Sequence, residues 1–324
     1  MNEVLKKLGD IGLIPVIKLD SPEQAIPLGK ALLAGNLPVA EVTFRTNAAE
    51  KSIKALSAEL PELIVGAGTV LTAEQVDTAA AAGAKYIVTP GFNPRVVQHC
   101  LDKGVPVTPG VTSPSEIEQA LEMGLTVAKF FPAEQAGGIP MLKAFAGPYG
   151  NKISFIPTGG INAKNLGDYL ACPNVHAVGG SWMVSPELMS EGKYDRIAEL
   201  CAEARSAALG FRLLHIGINP LDGGGGAEAT QSAELLAKML GMSQKIGNSS
   251  VFVGSGFEIM KRKGLGERGH IGIETTSVER ALAWLADFGV EAVDDTIVKK
   301  SGRIVLAYLD KPFMGFALHL NRRA

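Results

Sequence analysis

Lys129 is the one charge in an apolar stretch, Val127-Ala128-Lys129-Phe130-Phe131-Pro132-Ala133. The stretch has the composition of a buried strand and ends at a proline. Burying an ammonium is costly, so an enclosed lysine gives up its proton more readily than an exposed one. A neutral amine can attack a carbonyl carbon and form a Schiff base. A lysine paired with a carboxylate, or one snorkelling from a strand end, would leave the same local sequence. A second constellation is Val39-Ala40-Glu41-Val42-Thr43-Phe44-Arg45. Strand alternation puts Glu41, Thr43 and Arg45 on one face and Val42 and Phe44 on the other. If helices cover the apolar face, Glu41 and Arg45 point to the interior of a barrel, which is normally packed with branched apolar residues. They are then either an internal salt bridge or an acid/base and an anion clamp.

Such side chains need a frame. Short apolar runs at 14–19, 39–45, 63–69, 86–91, 106–111, 127–133, 155–160 and 177–182 alternate with helical patterns, including 22–34, 48–59, 72–82, 93–102 and 113–123. Proline stands near several helix starts (Pro22, Pro94, Pro114) and glycine near several ends (Gly35, Gly83, Gly104, Gly124). Eight strand–helix units predict an α/β chain folded as a parallel (β/α)8 TIM barrel with short loops. A doubly wound open sheet would call for a Gly-rich turn after the first strand, and 14–19 has none. The strand ends carry Gly66-Ala67-Gly68-Thr69, Thr89-Pro90-Gly91, Pro157-Thr158-Gly159-Gly160 and Gly179-Gly180-Ser181. Singly these are turn formers. Paired glycines after strands seven and eight are where barrels bind phosphate through backbone N–H groups.

Bulk properties narrow the class. The chain has 324 residues, 46% hydrophobic, with a formal net charge of −2. It has no basic excess, so nucleic acid is a poor partner. Three scattered cysteines (Cys100, Cys172, Cys201) argue against a disulfide framework and fit a reducing, cytoplasmic setting. No run approaches the ~18 apolar residues of a membrane span, and the N-terminus has no signal-peptide cleavage pattern.

Five motifs together, Glu41-Val42-Thr43-Phe44-Arg45-Thr46, Gly66-Ala67-Gly68-Thr69-Val70, Lys129-Phe130-Phe131-Pro132-Ala133-Glu134, Pro157-Thr158-Gly159-Gly160-Ile161 and Gly179-Gly180-Ser181-Trp182, closely resemble the 2-keto-3-deoxy-6-phosphogluconate aldolase family, which also acts on 4-hydroxy-2-oxoglutarate. The resemblance spans residues 1–209. It implies a class I lyase that cleaves the phosphorylated keto-acid to pyruvate and glyceraldehyde 3-phosphate, or 4-hydroxy-2-oxoglutarate to pyruvate and glyoxylate, without a cofactor. It also implies the roles. Lys129 is the Schiff-base lysine and Glu41 the proton shuttle, acting through water. Arg45 and Thr69 hold the pyruvate carboxylate, and Pro90 and Thr158 contact substrate. Gly159, Gly160, Gly180 and Ser181 line the phosphate end, and the barrel forms a homotrimer. Two readings from other classes are a phosphate-binding isomerase or epimerase in which Lys129 only helps electrostatically, and a ligand sensor that keeps the pocket. His99 and His176, the histidines of this part, fall on helix or loop segments and are expected at the surface.

A closing helix at 194–209 separates this domain, residues 1–210, from a second one at 211–324. Leu214-His215-Ile216-Gly217-Ile218 recurs as Gly269-His270-Ile271-Gly272-Ile273. A helix follows each copy (228–240, 278–288), then strands at 245–247, 251–254 and 257–261, and at 293–299, 303–309 and 315–320. The run Gly223-Gly224-Gly225-Gly226 has no nucleotide-loop spacing and is expected to be a flexible surface loop. The paired βαβββ units, residues 212–324, resemble the vicinal oxygen chelate fold of glyoxalases and dioxygenases. That resemblance implies a metal site at His215, Glu258, His270 and His319, with His319 in place of the usual glutamate. Three histidines and a glutamate suit Zn²⁺, Ni²⁺, Co²⁺ or Fe²⁺. A degenerate module whose histidines are merely packed is the alternative. For function, a glyoxalase- or epimerase-type enzyme, a small-molecule regulatory module and an accessory domain all stay open.

Overall fold

The strand and helix patterns of the first two hundred residues sort into a ring. In the computed structural model, which describes residues 2–150, 152–221 and 225–323, the chain divides into two compact units, Met1–Ala208 and Leu209–Ala324. The first unit has strands β1 (Leu13–Ile17), β2 (Val39–Thr43), β3 (Ile64–Gly68), β4 (Ile87–Val88), β5 (Val107–Thr108 and Gly110–Val111, either side of Pro109), β6 (Val127–Phe130), β7 (Ser154–Pro157) and β8 (Val178–Gly180). All neighbours are parallel. β1 pairs with β2 and with β8, β2 with β3, β3 with β4, β4 with the first piece of β5, and β6 with its second piece and with β7. Bridges Phe155 to Val175 and Thr158 to Gly179 join β7 to β8 and close the ring. Because every strand runs the same way, all C-terminal ends open at one mouth.

Helices cover the outside because their apolar stripes have nowhere else to go. Their starts carry local signals: Ser113 caps Pro114–Glu122 in a reciprocal pair with Glu116, and Thr72 and Asn93 cap the helices that follow them. One continuous apolar cluster fills the unit, with Leu13, Ile17, Val42, Ile87, Phe130 and Phe155 essentially shut off from solvent.

Six of the eight strands end two or three residues sooner than the apolar runs suggest. Gly, Thr and Pro at the strand ends leave the ladder for loops, and these loops carry the candidate site residues. Helices not bounded from the sequence lie at Glu3–Ile11, Gly138–Tyr149, Leu166–Ala171 and Pro186–Ser190. His176 is not an ordinary surface residue: it is half-buried, and its ring bonds the Leu5 carbonyl at 2.6 Å. His99 bonds the partly exposed Asp77 at 2.9 Å.

The second unit is a single eight-stranded sheet. Its strands are β9 (Arg212–Ile218), β10 (Gln244–Ile246), β11 (Ser250–Val253), β12 (Phe257–Met260), β13 (Gly269–Thr275), β14 (Val298–Lys300), β15 (Arg303–Tyr308) and β16 (Phe316–Arg322). The order β10-β11-β12-β9-β13-β16-β15-β14 reads the same from either edge once the two repeats are exchanged. β9 and β13 run antiparallel at the centre, and each lies parallel to the last strand of its own repeat. Each repeat has its own helix and small core: Gly226–Leu240 over Val251, Val253 and Ile259, and Val278–Ala286 over Ala307, Leu309 and Leu320. Two expectations shift. Gly226 begins a helix, while Gly223 and Gly224 of the supposed loop lie outside the described residues. The strand expected at 293–299 is a short 3-10 turn, Asp294–Thr296, followed by β14, since Asp294 and Asp295 favour a turn over a ladder.

Phe130 points away from the barrel axis into the helix layer, with its ring 6.1 Å from Phe145 and 6.5 Å from Phe155, both edge-on. Phe130→Ala should cost about 3–5 kcal/mol, read as a lowered urea midpoint of the barrel's unfolding transition.

Candidate functional site

Strand parity on β2 and β6 decides the first site. Glu41 and Lys129 both turn inward; they are 2% and 5% exposed. Lys129 Nζ lies 3.3 Å from Glu41 Oε1. The carboxylate's partner is thus the lysine, and Arg45 makes no internal ion pair with Glu41. Gly68, beside Glu41 on β3, leaves the carboxylate its place: a Cβ there would sit 2.4 Å from Oε1. The Phe131 ring lies below the ammonium, 5.1 Å from its centroid to Nζ. Thr43, buried on the same face, donates to the Ile17 carbonyl at 2.8 Å and accepts from Arg45 Nε at 3.1 Å. Because β2 ends at Thr43, Arg45 stands in the loop beyond it, exposed at the mouth.

The remaining expected residues lie at the same end of the ring. Thr158 follows β7, is 6% exposed and faces Gly179 on β8, where a Cβ would come 2.4 Å from its hydroxyl. Thr69 follows β3 with φ +56°, a left-handed conformation that is costly for a β-branched residue and turns the chain sharply off the strand. Pro90 lies half-buried after β4, Gly159 and Gly160 follow β7, and Gly180 ends β8 with Ser181 exposed after it. Beneath the pair, the phenol of fully buried Tyr86 bonds the Ala40 carbonyl at 3.2 Å. Burial, and then the Glu41 carboxylate, push that phenol's pKa well above its usual value.

The family model for KDPG and KHG aldolase matches residues 3–200. The chain belongs to this aldolase family. It is a lyase of the aldolase type. A Haemophilus influenzae protein named 2-dehydro-3-deoxy-phosphogluconate aldolase is 47% identical over 62% of this chain and 95% of its own length. A Treponema pallidum protein of the same name is 48% identical over 62% and 95%. Among solved structures, KDPG aldolase from Legionella pneumophila, with pyruvate captured at low pH as a covalent carbinolamine intermediate, is 42% identical. It matches with a TM-score of 0.60 over 62% of this chain and 97% of that one. The family match thus lies wholly within the first unit.

In that second unit the central strands bring four donors together. His215 on β9 and His270 on β13 approach through their Nε2 atoms at 3.1 Å, and His319 Nε2 on β16 lies 3.3 Å from that of His215. Glu258 Oε2 on β12 is 3.0 Å from His270 Nε2 and 3.3 Å from His215 Nε2. Ligand atoms of the three histidines all lie within 4.8 Å of one another, and all three rings are buried. The positions match across the repeats. His215 pairs with Gly272 and His270 with Gly217, while Glu258 pairs with Gly217 and His319 with Gly272. The two glycines are the space the rings occupy: a Cβ on Gly217 would meet the His270 ring at 2.1 Å, and one on Gly272 the His215 ring at 2.7 Å.

The electrostatics suit a cation. Burial, followed by the neighbouring imidazoles, pushes the His319 pKa down to about 4, and burial lowers that of His215 despite Glu258. Burial alone would raise the Glu258 carboxyl, but bonds from His270 and Ser250 hold it below the usual range. Near neutral pH His215 and His319 therefore offer imidazole lone pairs beside an ionised Glu258, as a divalent ion needs.

Sequence reasoning missed Phe131 and Tyr86 in the barrel, and Phe252 and Tyr308 beside the histidines. Phe131 lies inside a quoted motif and was readable there. The other three depend on cross-strand neighbours. Gly68→Ala should push the Glu41 carboxylate away from Lys129. Steady-state kinetics should show aldol cleavage slowed by about 10²-fold, while the thermal midpoint moves only a few degrees.

Proposed function

We propose that the barrel cleaves 2-keto-3-deoxy-6-phosphogluconate to pyruvate and glyceraldehyde 3-phosphate through a Schiff base on Lys129, and 4-hydroxy-2-oxoglutarate to pyruvate and glyoxylate by the same steps. The observation that carries this is a buried amine 3.3 Å from a buried carboxylate at the open end of an aldolase barrel. Lys129 Nζ adds to the C2 carbonyl, and loss of water leaves an iminium. Glu41 takes the C4 hydroxyl proton, directly or through water. The C3–C4 bond then breaks, and its electrons pass into the iminium to give an enamine while the aldehyde departs. The protonated Glu41 returns its proton to C3, and hydrolysis frees pyruvate and the amine. One carboxylate thus acts first as general base and then as general acid.

Arg45, whose planar fork suits a carboxylate, and Thr69 hold the pyruvate end, with Pro90 and Thr158 against the reacting carbons. Backbone at Gly159, Gly160 and Gly180, with the Ser181 hydroxyl, takes the phosphate. The positive φ values of Gly159 (97°) and Gly160 (83°) support this, because they give a loop conformation that can aim backbone N–H groups at an anion. The three cysteines, all buried thiols, support a cytoplasmic setting.

For the second unit we read a vicinal-oxygen-chelate-like module in which His215, Glu258, His270 and His319 hold one divalent metal. The glycine-made space, the lowered pKa values of His215 and His319 and the ionised Glu258 support the fit. Such an ion would act as a Lewis acid toward a carbonyl or enediolate oxygen.

Borohydride added with pyruvate should leave a reduced adduct on the Lys129 peptide, seen by mass spectrometry; an active Lys129→Ala chain sinks the mechanism. Glu41→Gln should keep the adduct but lower kcat by about 10²–10⁴-fold. Plasma mass spectrometry of the untagged chain should find close to one divalent transition metal per molecule, lost in a His215→Ala/His270→Ala double variant.

A further inference from the structure

The turn after β7 is held by the oxygens of three consecutive peptide units. The Thr158 carbonyl accepts from the Ala133 N–H at 2.8 Å, and the Gly159 carbonyl accepts from the Glu134 N–H at 3.2 Å. The Gly160 carbonyl accepts twice, from Asn165 Nδ2 at 3.0 Å and from Asn162 Nδ2 at 3.2 Å. A trans peptide is planar, with its C=O and the next N–H on opposite sides. Anchoring the three carbonyls therefore aims the N–H groups of Gly159, Gly160 and Ile161 the other way. Among the described residues, no hydrogen bond within the chain occupies the N–H of Gly160 or of Ile161.

The three units are not held alike. Backbone beyond β6 sets the first two, whatever the side chains there. Side chains alone set the third. The two carboxamides are themselves locked: Asn165 Oδ1 accepts from the Asn162 N–H at 2.8 Å, and Asn162 Oδ1 accepts from the Lys164 N–H at 2.9 Å. With both oxygens taken by donors, each Nδ2 is left to face the Gly160 carbonyl, and a flipped amide would lose both of its bonds. Glu134 packs against Gly160 so closely that a Cβ there would lie 2.3 Å from its Cγ, and its carboxylate accepts from the hydroxyl of fully buried Tyr169. The Ile161 N–H is thus directed before any ligand arrives, and an oriented backbone N–H suits an anion.

We propose that Asn162 and Asn165 are positioning residues that set the barrel's preference for a phosphorylated substrate, by holding the Gly160 carbonyl so that the Ile161 N–H joins the phosphate contacts. The inference rests on the phosphate end proposed above and deepens it. The phosphate keeps its charge while the C3–C4 bond breaks. Its contacts are therefore equally strong in the ground and transition states, and they act on KM rather than on kcat. Pyruvate has no phosphate arm and is indifferent to the pair.

The test compares the full chain with two variants. Asn165→Leu keeps the bulk of the side chain without its donor, and Asn162→Ala removes the other donor at an exposed position. The readouts are KM and kcat for 2-keto-3-deoxy-6-phosphogluconate, the inhibition constant of inorganic phosphate against that substrate, and the rate of borohydride trapping of pyruvate on Lys129. Asn165→Leu should raise KM and the phosphate inhibition constant together by about ten-fold, with kcat and trapping within about two-fold of the parent. Asn162→Ala should move the same two constants in the same direction. Should Asn165→Leu fail to trap pyruvate, its fold is lost and Asn162→Ala decides on the same readouts. If cleavage and trapping fall together in Asn162→Ala, the pair merely closes the turn and the proposal is overturned. Phosphate inhibition unchanged in both variants likewise overturns it. If inorganic phosphate does not compete even in the parent, the phosphate end itself fails and this proposal falls with it, while pyruvate trapping still reports on Lys129.

Discussion

The barrel depends on one ion pair drawn out of water. Lys129 and Glu41 come from strands four places apart around the ring and are separated by 88 residues of chain. In a flat sheet those strands would lie roughly 19 Å apart. Only closure brings the two groups to 3.3 Å across the interior. Neither ion would tolerate that depth alone: an unpaired buried charge costs several kcal/mol, and the pair recovers this only with good geometry. The fold and the chemistry therefore impose the same requirement. Whatever holds β2 and β6 in register also holds an acid beside an amine, with Gly68 leaving room for the carboxylate.

The second unit answers a similar problem by different means. Among the described residues it has no single large core; each repeat packs a helix over its own strands. The polar interior lies instead on the seam, where β9 and β13 run antiparallel. Three imidazoles facing one another through the same ring nitrogen cannot satisfy each other by hydrogen bonds, because a neutral imidazole has one donor and one acceptor nitrogen. Glu258 relieves part of this by accepting from His270. A cation would relieve the rest, which is the physical ground for the proposed coordination site.

Much of this was legible in the chain itself. Alternation along 39–43 correctly turned Glu41 inward, since the inside or outside of a strand is a local, period-two property. It misplaced Arg45, because the ladder stops at Thr43 and parity means nothing in the loop beyond. The partner of Glu41 was not legible either: the choice between Arg45 and Lys129 depends on closure, a non-local event. The bounds of the helix Gly138–Tyr149 were not legible because it opens on glycine and contains Pro140 and Pro148. The repeated His-Ile-Gly-Ile announced the second unit's symmetry. What it could not announce was register. That Gly217 opposes His270 and Gly272 opposes His215 follows from an antiparallel pairing no local pattern encodes.

That pairing gives the second unit an approximate dyad through its histidine cluster. In a strictly doubled sequence, any replacement near the axis would arrive twice, changing two donors and two walls together. Once the halves are covalently joined and free to drift, a single codon alters one donor and leaves its counterpart alone. The Glu258/His319 and Phe252/Tyr308 mismatches each break that symmetry at one position. A seam of this kind can be retuned one charge at a time, because three of its four donors stay in place while the fourth changes.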